Sequence, residues 1–151
     1  MEGAPGDPVL HIHIPGGAPL DHRACGEAFQ RAMEFFPRHY PEYRFAAFCC
    51  SSWLLNTWLA EVLPADSNLV RFQREFYLTP LEQWPQGMID RVFDDTPVDP
   101  ATAPRDTRLR RAIVEALERG EDLRGGGGGM FLLPKDLNWG AEVYRRQPWP
   151  W

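Results

Sequence analysis

No apolar run in this chain approaches the roughly twenty residues that a membrane-spanning helix needs. The opening MEGAPGDP has neither the basic nor the apolar region of a secretion signal, so the expectation is a cytoplasmic protein with no membrane partner. Basic residues are outnumbered, 16 Lys and Arg against 21 Asp and Glu, and the net charge of -5 argues against a nucleic-acid partner. Cysteine is scarce. Cys25, Cys49 and Cys50 are odd in number and lack metal-ligand spacing, which fits reduced thiols and no metal. Also missing are a GxGxxG turn, a GxxxxGK[ST] loop and a GxSxG elbow, so no nucleotide or hydrolase signature is complete.

What remains is ordinary globular material, 151 residues at 44% hydrophobic and 25% charged, enough for one core. The expected organisation is a flexible leader over 1–8, one α/β domain over 9–145 and an aromatic, proline-rich tail over 146–151. The chain centres on Val9 to Phe36. Leu10, Ile12 and Ile14 alternate with His11 and His13, which predicts a strand over Val9–Ile14. Pro15 ends its ladder, and Gly16-Gly17 allows a turn with positive φ. Asp21 is placed to cap a helix with a stripe of Cys25, Ala28, Phe29, Ala32 and Phe36, which the prolines from Pro37 should stop. A glycine turn at a helix start leaves backbone N–H groups free for an anion, although a plain structural turn looks the same in sequence.

Tyr43 to Ser52 reads as a second strand, parallel to the first through the intervening helix. The pairing would set Pro15 to Ala18 beside Cys50 to Trp53 at the carboxyl ends of both strands, where open α/β sheets bind ligands. Farther on, Asn56 should cap a helix over Thr57–Leu63. A clean alternation predicts one long strand over Leu69–Thr79, with Gln73 and Glu75 on its wetter face. A short helix over Gly87–Asp94 and an Asp106-capped helix ending at Gly120 follow. Arg108, Arg110 and Arg111 should lie on the solvated face of that last helix, paired with Glu115 and Glu118. The five glycines Gly125–Gly129 read as a flexible loop, with a final strand over Met130–Leu133.

For chemistry, His13 nearest the turn is the candidate general base, against the alternative of a structural histidine. His11 and His13 share a face, but no third ligand accompanies them. Cys49 and Cys50 point to opposite faces, so one of them, Cys50 in this reading, reaches the cleft unless both are packing residues. Ser52 could orient a substrate carbonyl or protonate a leaving thiolate.

The stretches HIPGGAPLDHRACGEAFQRAMEFFPRHYP and CCSSWLLNTWLAEVLPADSNLVRFQREF, from about His13 to Leu78, resemble the C-terminal domain of two-domain, largely actinobacterial acyltransferase-like proteins with a GNAT-like fold. That resemblance implies a GNAT-like mixed sheet with flanking helices, the C-terminal half of the fold. It implies coenzyme A as the acyl-CoA cosubstrate. Pro15, Gly16, Gly17, Ala18 and the helix start at Asp21 would then hold the pyrophosphate, and Phe48 to Cys50 would wall the pantetheine. Complete domains of that kind carry several strands and two helices before this unit. The resemblance therefore implies a small-molecule acyl acceptor held in a half-site that a second copy or a separate protein completes. Two other readings share the fold: a non-catalytic interaction module, and a small-molecule biosynthetic enzyme doing acid–base chemistry in the same cleft.

Overall fold

The computed structural model describes residues 4–17, 19–81, 86–123 and 126–142. Ala18, Gly125 and the tail over 146–151 therefore lie outside the described residues. Strand β1 covers Val9–His11, helix α1 His22–His39 and strand β2 Ala47–Ser52. A 3-10 turn over Trp53–Leu55 leads to helix α2, Leu59–Val62, then α3, Asn68–Gln73, and β3, Tyr77–Pro80. Helices α4, Gln86–Val92, and α5, Arg108–Glu118, precede β4, Gly128–Leu132, and a 3-10 turn over Pro134–Asp136. The strands form one mixed sheet in the order β1-β2-β4-β3. As expected, β1 and β2 are parallel, with Leu10 facing Phe48 and His11 facing Cys49.

The chain divides into two compact units. The first joins Met1–Cys50, Asn68–Leu78 and Met130–Trp151. Its core is aromatic: Phe29 meets Phe48 edge-on at 5.0 Å and lies 5.5 Å from Phe76, and Phe72 meets Phe76 at 4.7 Å. The second joins Ser51–Ser67 and Thr79–Gly129 around Leu55, Trp58, Leu59, Met88, Ile113 and Val114. There Asn56 donates through Nδ2 to Leu123 O at 2.7 Å, and Trp58 Nε1 donates to Glu121 Oε1 at 2.9 Å.

Several expectations change. Helix α1 runs through Pro37 to His39, because a proline in the last turn removes only the bond of its own missing N–H. Ala28 is exposed, and the buried line of α1 is His22, Gly26 and Phe29. The extended β1 stops at His11, although Ile12 N still donates to Cys49 O at 2.7 Å, and β2 starts at Ala47. Asn56 accepts from Trp58 N at 3.0 Å, closing a turn before the shorter α2.

The largest change lies in Leu69–Thr79, which is helix α3, a turn and β3. Phe72 and Phe76 are even-spaced and also one helical turn apart, so both periods fit the same residues. Gln73 and Glu75 are buried, not wet. Thr107, not Asp106, caps α5 by accepting from Arg110 N at 3.1 Å. Arg110 is tucked in. It donates to Val92 O at 3.0 Å, to Asp94 Oδ2 at 3.0 Å and to both Asp106 carboxylate oxygens at 3.2 Å, and this hydrogen bonding lowers the Asp106 carboxyl below its ordinary range. Arg105, not one of the expected arginines, pairs with Glu118, and Arg111 donates to Arg105 O at 2.9 Å.

The glycine run also departs from a flexible loop. Gly126 to Gly129 are buried, and Gly128 and Gly129 open β4. A Cβ on Gly128 would stand 2.2 Å from Leu55 O, a backbone atom that cannot turn aside, and one on Gly129 would meet Leu81 and Thr79. Gly128→Ala should therefore destabilise the protein by about 2–3 kcal/mol through overpacking, read as a lower midpoint in urea. A midpoint equal to wild type would show that the strand start yields freely.

Candidate functional site

The first unit builds the candidate site on one continuous stretch. After Ile12 the chain leaves the β2 ladder, and His13 lies exposed on the way to the diglycine turn. Gly17 takes φ +77, in the left-handed region where a side chain is strained. A Cβ on Gly16 or Gly17 would meet nothing within 4 Å, so the bend faces open space. Among the described residues no hydrogen bond engages the Gly16 or Gly17 N–H. Five residues after Gly17 α1 begins, capped by Asp21 as the sequence indicates. Its Oδ1 accepts from Ala24 N at 2.8 Å and its carbonyl from Cys25 N at 3.0 Å. A capped helix still leaves its earliest N–H groups over, here those of His22 and Arg23. The Asp21 carboxylate is engaged by its own helix and adds negative charge there, so its part in the site is to fix α1.

The other candidate residues are placed differently. Phe48 is 0% exposed and packs between Phe29 and Phe45, so its side chain belongs to the core. Cys50 is buried on β2, and Cys49 on the opposite face is half-buried. Ser52, in the second unit, accepts from Leu54 N at 3.2 Å and caps the 3-10 turn. Burial pushes the Cys49 thiol up from its ordinary 9.0. Burial, with the Asp21 charge second, does the same for Cys25. Both thiols stay protonated at neutral pH. Iodoacetamide should alkylate them more slowly than free cysteine at pH 8, with rates that keep rising as pH climbs past 9 before they level off. Fast labelling of either at neutral pH would contradict this placement.

A polar cluster at the head of α1 had no counterpart in the sequence reading. Glu75, 2% exposed, accepts through Oε1 from His22 Nε2 at 2.9 Å and through Oε2 from Gly140 N at 3.0 Å. Arg71 lies 3.2 Å from His22 Nδ1, and as a donor only it assigns Nδ1 as acceptor and Nε2–H as the donor to Glu75. Trp139 donates from Nε1 to His22 O at 2.6 Å and stacks on Phe29 at 5.3 Å. Gly26 makes this possible, since a Cβ there would come 2.3 Å from the indole. The one signal in the sequence was a carboxylate next to Phe76 in RFQREF, together with a histidine that directly follows a helix cap.

The sequence pattern of GNAT-like C-terminal domains matches residues 1–130. The chain belongs to that family. This GNAT-like domain is also similar to solved acyltransferases. One is in complex with CoA and 10C-teicoplanin, at 30% identity and a TM-score of 0.74 over 87% of this chain and 42% of that one. Another is an acyltransferase mutant in complex with octanoyl-CoA, at 30% identity and a TM-score of 0.74 over 89% and 43%. A third holds decanoyl-CoA and teicoplanin, at 29% identity and a TM-score of 0.74 over 88% and 43%. The GNAT-like domain thus spans about two fifths of the length of the acyltransferases it matches. Among curated proteins none matches it. Among its described residues, no helix is long and apolar enough to cross a membrane.

Proposed function

We propose that the domain takes part in acyl transfer from an acyl-CoA thioester to an amine or hydroxyl of a small molecule. The observation that carries this reading is the open diglycine bend ahead of a capped helix, in a fold shared with acyltransferases in complex with CoA, octanoyl-CoA or decanoyl-CoA. The residues fit the role. The N–H groups of Gly16 and Gly17, with those of His22 and Arg23, form a run of donors for the pyrophosphate, where a helix start favours negative charge. Pro15 leads into that bend. The pantetheine arm would leave along the Cys49–Cys50 end of β2, where the ladder to β1 stops after Ile12.

His13 is the base in this proposal. As the acceptor nitrogen attacks the thioester carbonyl, a C–N bond forms and the C–S bond breaks. The proton lost by nitrogen goes to His13 and from there to the departing sulfur. Teicoplanin, held in matched structures, is the first acceptor to try.

Titrating the full chain with octanoyl-CoA by calorimetry tests the reading. Heat is expected from wild type. Gly17→Val, which forces a branched side chain into positive φ and covers the bend, should weaken binding by about tenfold or more. No heat from wild type at excess ligand would remove coenzyme A binding and leave an interaction module.

A further inference from the structure

His22 opens α1, so a single residue carries both an N–H of the donor run and a ring in the buried cluster behind it. The neighbours of that ring come from three parts of the first unit. Glu75, from the turn after α3, accepts from Nε2–H at 2.9 Å, and Arg71 of α3 donates to Nδ1 at 3.2 Å. The uncharged Trp139 ring lies 5.1 Å away. Beside His22 along the chain stand Asp21, held by the helix it caps, and Arg23, paired with Glu27.

The two charged partners of the ring differ in how firmly they are placed. Glu75 is 2% exposed and also accepts from Gly140 N, so it is fixed. Arg71 is exposed, and among the described residues no carboxylate pairs with it. A proton on Nδ1 turns the acceptor that Arg71 uses into a donor and sets two cations face to face. The ring then keeps Glu75 in a charge-assisted pair, and the long side chain of Arg71 swings free beside the head of α1. One cation and one anion around a neutral ring become a cluster with net positive charge. Positive charge there opposes the dipole of α1, and an anion seated on the first-turn N–H groups relieves it.

We propose that His22 is a proton switch set behind the diglycine bend: neutral, it parks Arg71 on α1, and protonated, it releases Arg71 toward a bound diphosphate and strengthens that binding. By linkage, a diphosphate that binds draws a proton onto His22. The inference rests on the acyl-transfer reading above for its ligand and adds a control on that site.

The test titrates the full chain with octanoyl-CoA and, separately, with inorganic pyrophosphate, at about pH 8 and at about pH 5.5, a span over which histidine changes charge. Protonation of the ligand is common to every variant, so His22→Gln, whose amide cannot take a proton, is the reference. On going to the lower pH, wild type should gain about three- to tenfold in affinity over His22→Gln. Arg71→Gln, at an exposed position, should lose more affinity at the lower pH than at the higher, since only there is the guanidinium released. Ring-nitrogen NMR of the free chain should show Nδ1 bare at the higher pH and protonated at the lower, with the fold intact. Equal pH dependence for wild type and His22→Gln, an equal loss for Arg71→Gln at both pH values, or a ring that stays neutral at the lower pH would each overturn the proposal. Pyrophosphate binding that shows the switch without octanoyl-CoA binding would remove the acyl-transfer reading and leave the switch. Octanoyl-CoA binding without the pH difference would do the reverse, and no binding of either ligand would overturn both.

Discussion

In the proposed acyl transfer, replacing His13 with alanine is expected to slow turnover by about 10²- to 10⁴-fold while octanoyl-CoA binding is unchanged. The side chain is exposed on the segment between β1 and the diglycine bend, and it makes no packing contact that folding depends on. Its loss therefore leaves Asp21 on Ala24 N, and α1 with its cap. A base that acts only as the nucleophile loses its proton changes kcat and leaves the donor's KM alone. His13→Gln is the informative partner variant, since an amide keeps much of the shape and cannot take a proton. Full turnover by either variant on a working acceptor would take His13 out of the mechanism. A raised KM with unchanged kcat would make it a binding residue instead.

Glu75→Ala is expected to cost about 3–5 kcal/mol of stability, because it breaks a buried charge-assisted cluster from one side. His22 Nε2–H would lose its acceptor in a buried place, and the part-buried Gly140 N–H would lose its own. For a chain of this size that corresponds to a fall of roughly 10 °C in the melting midpoint. Glu75→Gln keeps an oxygen for one of the two donors and should lose less than half as much. Equal midpoints for Glu75→Ala and wild type in differential scanning calorimetry would show that the cluster contributes nothing net, as some buried ion pairs do.

The features that local rules govern were legible in the sequence. Alternation gave the inward face of β1, the carboxylate at Asp21 marked the start of α1, and a positive φ of 65 at Gly120 ends α5 where the glycine stands. What failed was whatever tertiary neighbours decide. Leu69–Thr79 fits two periods equally well, and only the packing of Phe72 on Phe76 within the aromatic core selects helix then strand. Composition marks Gly125–Gly129 as loose, but Gly128 is required where Leu55 O leaves no space for another atom. The resemblance makes Phe48 part of the pantetheine wall, whereas the rings of Phe29 and Phe45 claim its side chain for the interior. Alternation sets Glu75 on the outer face of a strand where the chain turns between α3 and β3, which hid the most buried carboxylate among the described residues. The diglycine bend was found because turn chemistry is local; the use made of its amides depends on a ligand.

Trp139 fills the trench that Gly26 leaves along α1. Trimming the protein to a shorter expression product that stops before Asn138 would strip the roof from Phe29 and His22, and the freshly bared rings would invite aggregation. Any purification tag on that side belongs after the last residue, where it spares the indole.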